Sequence, residues 1–441
     1  MSPTPSFAEL LAPFAAVMTH PSYRTFGVIL TGWLFCRRHT ITGAIQGADA
    51  VGTKHHSAFH RFFATARWAK EDFERVLVSL IVWWLRDGVI VLAVDDTLAP
   101  KCGSHVHGAG IHRDALRSSH TVSAIRRGHC WVTLAVIVRL PFRADFRFAL
   151  PIMTRLYRTE KSCRHEGGTY FTKPELALQM VTALCARYPE RRFHLLGDGG
   201  YSNETVVKHL PATCDFTGRM CLNAALFDPP PPPTGKRGRP PEKGDRLPTP
   251  QRMIETATAA KAMTRFAPKM FGCRAEVFLT SCTALWHSVA GTRLLRIVVT
   301  QPLPGTDKPR AFFTTAANAS AVDVLVWYAH RWAVENTFHD AKGLLGFSEP
   351  QGWTEKAVHR TAPMILYLYS LIVLWFAHHG SPLLHAPGRS WYRQKRDISF
   401  ADMLIALREE TLKHDFRCQP MHPVLSEKYL DRLIHRMAWA A

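Results

Sequence analysis

Three carboxylates offer the clearest chemistry in this sequence. Asp95 and Asp198 each come directly after a short apolar run, residues 89–94 and 193–197, that predicts a buried strand. Glu335 lies in a segment with helical periodicity. Acids at the ends of central strands are costly to desolvate unless they bind something, commonly a cation. Three carboxylates can hold two divalent metals, the arrangement used for in-line displacement at phosphorus.

The segment around Glu335 combines polar and apolar positions. On a continuous helix its spacings of 3, 4 and 7 place four functional side chains within an arc of roughly 60°. These four are Tyr328, Arg331, Glu335 and Lys342. A separate apolar stripe, roughly 100° away, suits burial against a core; it consists of Trp327, Val334, Phe338, Ala341 and Leu345. The alternative is an ordinary solvated face with salt bridges.

Three motifs in the order strand, strand, helix carry a family resemblance. The helix residues Tyr328, Arg331, Glu335 and Lys342 match the signature Tyr-x2-Arg-x3-Glu-x6-Lys of the superfamily called insertion sequence four. Asp95-Asp96-Thr97 matches its Asp-x-Thr motif, and Asp198-Gly-Gly-Tyr201 matches its Asp-x-Gly-Tyr motif. The sequence therefore resembles a DDE transposase of a bacterial insertion sequence. The continuation to Pro100-Lys-x-Gly103 suggests the related group called insertion sequence seven-oh-one.

The resemblance implies a fold, an activity and a set of site residues. The fold is α/β, with an RNase H-like (retroviral-integrase-like) catalytic core, a mostly β insertion domain, a helical N-terminal DNA-binding domain and a helical C-terminal region. Asp95, Asp198 and Glu335 would be catalytic and would hold two Mg²⁺ ions, for which Mn²⁺ can substitute. Tyr328, Arg331 and Lys342 would grip the phosphates at the transposon end. The expected partner is double-stranded DNA, as terminal inverted repeats and target, bound by a homodimer in the synaptic complex.

Alternatives remain at this stage. A metal-dependent nuclease without strand transfer would carry the same core. A domesticated, catalytically silent DNA-binding protein would be expected to have lost acids, whereas all three are present. The first acid is also ambiguous: the motif selects Asp95, and Asp96 would take its place if the register slipped by one. Because neighbouring strand residues point in opposite directions, both should not bind the same metal directly, and Asp95 is favoured.

Composition agrees with a nucleic-acid partner. The 441 residues include 55 Lys and Arg against 35 Asp and Glu, a formal charge of +20 and a pI near 9.8. Such an excess suits a polyanion, because each neutralised phosphate releases counterions. The first residues lack the cationic region of a signal peptide. The apolar stretch 364–377, at 14 residues, is too short to span a bilayer. We expect a cytoplasmic protein, associated with the nucleoid when bound to DNA, and no membrane partner.

Cysteine and histidine patterns add little chemistry. The 10 cysteines form no Cys-x-x-Cys pair, which is typical of reduced cytosolic thiols. Cys102, His105, His107 and His112 cluster after the first aspartate and could hold a metal. A loop that carries histidines near DNA phosphates is the simpler interpretation.

Periodicity divides the chain into five parts. The predicted segments are a helical DNA-binding domain (1–88), the first part of the catalytic core (89–214), a β-rich insertion (215–305), the second part of the core with the Glu helix (306–352) and a helical C-terminal region (353–441). Residues 129–139 and 146–153 are predicted to be the second and third core strands, and 173–187 a helix. The short helices predicted in the first part, which end in the basic aromatic segment 55–63, are compatible with a helix-turn-helix unit, the alternative being a helical cap on the core.

The predicted insertion contains two further DNA-binding candidates. Residues 228–246 hold a run of five prolines and a basic core, Lys236, Arg237 and Arg239, that resembles an AT-hook; the alternative is a solvated basic linker. Trp286 corresponds to a tryptophan that stacks on a flipped base in some relatives, although most such residues belong to the core.

Overall fold

The protein is described here by a computed structural model. It describes residues 1–440 except 86, 115–116, 119–120, 233–239, 267–268, 271–272, 275–276, 303–307, 381–396 and 419–426.

The N-terminal region is helical, as predicted. Its helices are α1 (Pro5–Leu11), α2 (His20–Phe35), α3 (Ile41–Gly47), α4 (His56–Ala64) and α5 (Lys70–Leu85), with a 3-10 turn at Ala12–Val17. Phe14, Phe26 and Phe73 stack in its core with ring centroids 4.3–5.7 Å apart. Helices α2 and α3 cross at Gly32, where an added Cβ would lie 1.9 Å from the carbonyl oxygen of Ala44. Glycine is required there because the two backbones touch.

A large mixed sheet forms the centre of the protein. The first strands are β1 (Ile90–Pro100), β2 (Gly110–Arg113), β3 (Ile125–Leu140), β4 (Arg143–Tyr157), β5 (Phe193–Gly197) and β6 (Cys214–Met220). Strand β3 pairs antiparallel with β1, β2 and β4, whereas β5 runs parallel to both β1 and β6. The prediction of strands at 129–139 and 146–153 is confirmed by β3 and β4, which are longer at both ends.

The helices between these strands cover the sheet. They are α6 (Glu160–Glu166), α7 (Lys173–Arg187) and α8 (Glu204–Val207). Helix α7 has the predicted bounds, because Thr172 and Glu175 form a capping box at its start. Its buried face, which includes Leu176, Met180 and Leu184, packs against β3 and β4.

The strands of the predicted insertion extend the same sheet. They are β7 (Leu226–Phe227), β8 (Arg246–Leu247), β9 (Thr264–Phe266), β12 (Val277–Leu285), β13 (Leu294–Pro302) and β14 (Arg310–Thr314); β10 (Lys269–Met270) and β11 (Cys273–Arg274) form a separate hairpin, and α9 (Pro250–Ala259) and α10 (His287–Ala290) lie between strands. Among the described residues, the strand order is β2-β3-β1-β5-β6-β14-β13-β12-β7-β8, with β4 beside β3 and β9 beside β12. The division of the chain into five domains stays a prediction.

The segment that carries Glu335 is two helices rather than one. Helix α11 (Ala321–His330) ends before Arg331, and α12 (Ala333–Leu344) begins after Trp332. At the junction the amides of Arg331, Trp332 and Val334 bond to carbonyls three residues earlier. The prediction of one continuous helical face is therefore wrong. Since three residues make a turn in a 3-10 segment and 3.6 in an α-helix, the tighter junction rotates α12 relative to α11.

The C-terminal helices support α12. They are α13 (Glu355–Trp375), continued by a π-helical turn at Phe376–Gly380, α14 (Phe400–Arg417) and α15 (Glu427–Ala440). By length and composition, Glu355–Gly380 could cross a membrane, so the argument that its apolar stretch is too short is wrong. However, 89% of the apolar stretch of this helix is buried inside the fold, where α13 packs against β4 and α12. Burial in the core accounts for its apolar composition.

Candidate active site

Two parallel strands bring the predicted aspartates together. The β1–β5 pairing ends with Ala93 beside Leu196, and Asp95 and Asp198 each come two residues after this pair, so the two aspartates lie side by side just beyond it. Neighbouring strands lie roughly 4.8 Å apart. Strand β1 continues past the acids to Pro100 because β3 pairs with it, which corrects the prediction that the strand ends at Val94. β5 ends at Gly197, and Asp198 begins the turn that follows.

The turn after β5 fixes the side chain of Asp198. Its Oδ1 accepts a hydrogen bond from the amide of Gly200 at 2.8 Å, and its carbonyl oxygen accepts one from the hydroxyl of Ser202 at 2.9 Å. A Cβ at position 200 would lie 3.1 Å from Asp198 Oδ1. The Asp-x-Gly-Tyr motif therefore directs the Asp198 carboxylate at the end of β5, and its Oδ2 has no hydrogen bond within the described part of the chain.

Arg331 joins the third acid to the first. Its Nη1 donates to Asp95 Oδ2 at 3.0 Å, and its Nη2 donates to Glu335 Oε1 at 2.7 Å. The Arg331 side chain is only 9% exposed, whereas that of Glu335 is 35% exposed. The guanidinium thus lies between the two carboxylates. Although Arg331 was predicted on the polar arc rather than on the apolar stripe, its side chain is buried.

The same cluster raises the pKa of Asp95. Burial is the largest cause, and the negative charges of Asp198 and Asp96 add to it, so the pKa rises to about 7 despite the opposing charge of Arg331. Carboxylates that repel one another in a buried setting are stabilised by a bound cation. The donor set is all oxygen, which fits Mg²⁺ or Mn²⁺.

The raised pKa of Asp95 predicts a pH-dependent loss of stability without metal. The carboxyl would lose its proton near pH 3.8 when unfolded but near pH 7 when folded. The folded state therefore binds more protons between these values, and the free energy of unfolding falls as pH rises through this window. In Asp95→Asn, this decrease in the free energy of unfolding should be smaller by up to about 4 kcal/mol. Thermal unfolding measured from pH 4 to pH 8 in the presence of a chelator tests this.

A matched control for this experiment is Asp87→Asn, which changes an exposed aspartate. We expect its melting curves to follow those of the wild-type protein at every pH. If Asp95→Asn also followed them, burial of a protonated Asp95 would be ruled out.

Asp96 faces the other side of β1 and has different partners. Its Oδ2 accepts from Lys173 Nζ at 2.6 Å and from Cys130 Sγ at 3.3 Å, and its Oδ1 accepts from the hydroxyl of Tyr201 at 3.3 Å. Burial, followed by the charges of Asp96 and Asp95, raises the pKa of Tyr201, so this phenol stays a donor. The geometry thus groups Asp95 with Glu335 and Asp96 with Lys173. Which aspartate binds metal stays a prediction.

Residues that the sequence analysis missed line a cavity beside the acids. The cavity has a volume of about 260 Å³ and contains Asp96, Asp198 and Lys173 together with Tyr157, Tyr170 and Tyr201. One sequence signal marks Lys173: it is the first residue of α7, where the helix dipole disfavours a cation. Its contact with Asp96 explains its presence there. Tyr157 and Tyr170 carry no comparable signal, because Tyr157 is positioned by the pairing of β4 with β3 and Tyr170 lies in the loop before α7.

The other signature residues are placed around the acids. Tyr328 is half-buried, with its ring 4.7 Å from that of Phe312 and 5.5 Å from the Arg331 guanidinium carbon. Lys342 is also half-buried, and burial lowers its pKa while the charges of Asp114 and Cys130 oppose that shift. No contact of Lys342 with the three acids is found among the described residues. The DNA-binding roles of these residues stay predictions.

The apolar stripe of the Glu segment is buried as predicted. Val334, Phe338, Ala341 and Leu345 are at most 6% exposed, and Trp327 packs on His194 with ring centroids 4.3 Å apart. Thr337 adds a hydrogen bond to the carbonyl oxygen of Ala149 on β4 at 2.8 Å. These contacts fix the α12 backbone that carries Glu335.

Three further candidates have different outcomes. Trp286 is 7% exposed and packs edge-on against Phe313, with ring centroids 5.3 Å apart, which favours the core interpretation over base stacking. Lys236, Arg237 and Arg239 lie outside the described residues. Within the described part of the chain, no metal cluster is formed by Cys102, His105, His107 and His112. His107 instead lies near Glu355 and His359, and one donor atom from each of these three residues lies within 4.8 Å of the others.

Comparison with known proteins gives one family. No curated protein matches the chain. The model of the family described as DDE superfamily endonuclease matches residues 13–269, more than half of the chain. The matched segment contains Asp95, on β1, and Asp198, directly after the adjacent strand β5, and Glu335 lies beyond it. Glu335 is joined to Asp95 through Arg331. With this match over more than half of its length, the chain belongs to the DDE superfamily endonuclease family.

Proposed function

We propose that this protein is a DNA transposase of the insertion sequence four superfamily. It would bind terminal inverted repeats, cleave DNA at the transposon ends and join them to target DNA. The observation that supports this most directly is the placement of Asp95 across from Asp198, with Glu335 linked to Asp95 through Arg331. The Tyr-x2-Arg-x3-Glu-x6-Lys signature supports the superfamily, and the residues after Asp95 support the seven-oh-one group.

The proposed catalytic core is the RNase H-like part of the sheet. It would comprise β4, β3, β1, β5 and β6 in that order, with α7 on one face. Helix α12 packs against β4 and β1, which places Glu335 near the aspartates. Two of the acids lie on or directly after neighbouring strands of the sheet, and a helix supplies the third. Acids carried by strands and helices in this way are held at fixed positions relative to the reacting groups.

The chemistry would proceed by direct displacement at phosphorus. Bound divalent ions supply activation of the attacking oxygen and stabilisation of the leaving oxygen. Asp95, Asp198 and Glu335 would hold these ions, and no covalent protein–DNA intermediate is needed. Asp198 is oriented for this by the Gly200 amide. Because the pKa of Asp95 is raised without metal, a metal that binds there must displace its proton, so metal binding should strengthen as pH rises.

Arg331 is suited to two successive roles. Without ligand its guanidinium neutralises Asp95 and Glu335 and holds both side chains in place. A guanidinium can also bind a phosphate through two parallel hydrogen bonds. We infer that Arg331 transfers one or both of these bonds to the DNA phosphate, next to Tyr328 and Lys342.

The DNA-binding surface would include the N-terminal helices. Helix α4 buries Phe59, Phe62 and Phe63 and exposes His60 and Arg61. A groove of about 760 Å³ lies beside it between α2 and α3, lined by the exposed Arg37 and Arg38 together with Thr40 and Gln46. Guanidinium and amide groups of this kind bind phosphates and base edges. A homodimer would bring two such surfaces to two transposon ends.

The basic core of the segment 228–246 should contribute binding but not cleavage position. Replacing Lys236, Arg237 and Arg239 together by Ala removes up to three phosphate contacts. The slope of log affinity against log salt should flatten by roughly 0.9 per lost contact. Titration of a labelled duplex at several salt concentrations measures this. An unchanged slope would make the segment a linker. A change in the position at which the DNA is cleaved would contradict the expectation that this segment acts only in binding.

A strand-transfer assay tests the proposed function. The protein is incubated with Mg²⁺, a supercoiled plasmid and a duplex that ends in the inverted repeat flanking its gene. A transposase yields the duplex covalently joined to the plasmid. Nicked or linear plasmid without joined product would favour a metal-dependent nuclease, and binding without any cut would favour a silent DNA-binding protein.

A further inference from the structure

A second cluster of possible metal ligands lies away from the three acids. Glu355 and His359 are four residues apart in the first turns of α13, so both face the same side of the helix. His107, from the loop between β1 and β2, faces them: its Nε2 is 4.0 Å from Glu355 Oε1, and its ring centroid is 5.7 Å from that of His359. One donor atom from each residue lies within 4.8 Å of the others.

The surroundings of His107 point to a ligand. Its Nε2 is buried and has no hydrogen-bond partner among the described residues, although an imidazole nitrogen normally finds one. On the other side of the ring, Nδ1 lies 3.6 Å from Glu166 Oε2. A carboxylate behind the second nitrogen is the usual support of a histidine that binds metal, because it orients the ring. Glu166 is itself held by Arg158 Nη2 at 3.1 Å and the Gly108 amide at 3.2 Å.

The donor types select the class of ion. Two imidazoles and one carboxylate suit Zn²⁺ and related transition metals, whereas Mg²⁺ prefers oxygen donors throughout. Donor atoms about 2.0–2.2 Å from a tetrahedral zinc ion lie roughly 3.3–3.6 Å apart. Rotation of these side chains would have to bring their donor atoms closer together to reach that spacing. The Glu355 side chain is 71% exposed, which leaves a path for the ion and a position for water.

We propose that His107, Glu355 and His359 bind one Zn²⁺-class ion that fastens the loop after β1 to the start of α13. Protein contacts already place the loop there. Lys101 Nζ donates to the carbonyl oxygens of Ser348 and Pro350 at 2.9 and 2.7 Å, and the amide of His107 donates to the carbonyl oxygen of Trp353 at 3.0 Å. The ion would fix the end of the strand that carries Asp95 relative to the helix that follows the Glu335 segment. None of the three catalytic acids contributes a ligand.

Metal binding by the full-length protein tests this site. The protein is chelated, loaded with Zn²⁺ and then dialysed into excess Mg²⁺, which would occupy the oxygen site; we expect it to retain about one Zn²⁺ per chain. His107→Ala and His359→Ala should lose this ion, and Glu355→Gln, a conservative change at an exposed position, should weaken its binding about tenfold or more. His105→Ala, an exposed histidine of the same loop, is the matched control and should retain it.

Two more readouts separate this site from the catalytic acids and from misfolding. Co²⁺ substituted for Zn²⁺ should give an absorption spectrum of a four- or five-coordinate ion, present in Asp198→Asn and absent from His359→Ala. Hydrogen exchange of residues 101–109 should slow on adding Zn²⁺ to the wild-type protein but not to His359→Ala. Absence of bound Zn²⁺ in the wild type, its retention by His359→Ala, or its loss from Asp198→Asn would overturn the proposal.

Discussion

Replacing Asp198 by Asn or Glu335 by Gln is expected to abolish Mg²⁺-dependent DNA cleavage while leaving DNA binding largely intact. Each change removes one charge and keeps the size of the side chain. Bound metals supply several kcal/mol of transition-state stabilisation, so the cleavage rate should fall at least about 100-fold. Nicking and gel-shift assays on one preparation measure the two activities together.

Two further variants sharpen this test. Glu204→Gln changes a carboxylate six residues after Asp198 that is exposed and paired with Lys208 at 2.8 Å, and it should cleave normally. Asp95→Asn should be as inactive as Asp198→Asn, whereas Asp96→Asn should retain more activity, because Asp96 is directed to Lys173. Appreciable cleavage by Asp198→Asn or Glu335→Gln would contradict the assignment of three carboxylates.

Loss of the Glu74 carboxylate is expected to destabilise the whole fold by about 3–5 kcal/mol. Glu74, on α5, is 2% exposed and pairs with Lys70 at 2.8 Å and Arg155 at 3.0 Å. It also accepts a hydrogen bond from Tyr367 of α13. Although burial would raise its pKa, Lys70 and Arg155 hold it below its usual value. Glu74→Ala would leave the buried Lys70 and the half-buried Arg155 without this buried acid.

Glu71, one helical turn before Glu74, provides the control for Glu74→Ala. Glu71 lies on the same helix and contacts Lys70 at 3.6 Å, but its side chain is 64% exposed. Since exposed ion pairs contribute about 0–1 kcal/mol, Glu71→Ala should alter stability little. Denaturant melts of both variants make the comparison, and equal stabilities would show that the buried cluster does not join α5 to β4 and α13.

Local signals in the sequence determined several elements of the fold. Helix α7 was predicted at its observed bounds because Thr172 and Glu175 cap it within its own first turn. Strands β3 and β4 follow from long apolar runs in the sequence. Asp95 and Asp198 are marked in the same way, as acids placed directly after such runs, and Glu335 by its place in a segment with helical periodicity. These features depend on contacts between residues close in sequence.

Tertiary structure decided how these acids are surrounded. Parallel pairing of β1 with β5 sets Asp95 across from Asp198, and antiparallel pairing with β3 carries β1 beyond the point where its apolar run ends. The junction at Arg331 breaks the Glu helix and turns this side chain onto Asp95, 236 residues earlier. No periodicity within the segment encodes that partner, because helical spacing describes only neighbours on the same helix.

Sequence and tertiary structure also contribute separately to the proposed Zn²⁺ site formed by His107, Glu355 and His359. The spacing of Glu355 and His359 on α13 is visible in the sequence, but a helix with two polar residues at that spacing is common. His107 lies more than 240 residues before them and joins them only because the loop after β1 lies against the segment leading into α13. The sequence by itself thus determined which residue types were available and on which elements they lie. Which of them meet was decided by long-range strand register and loop packing, since these depend on contacts between distant parts of the chain.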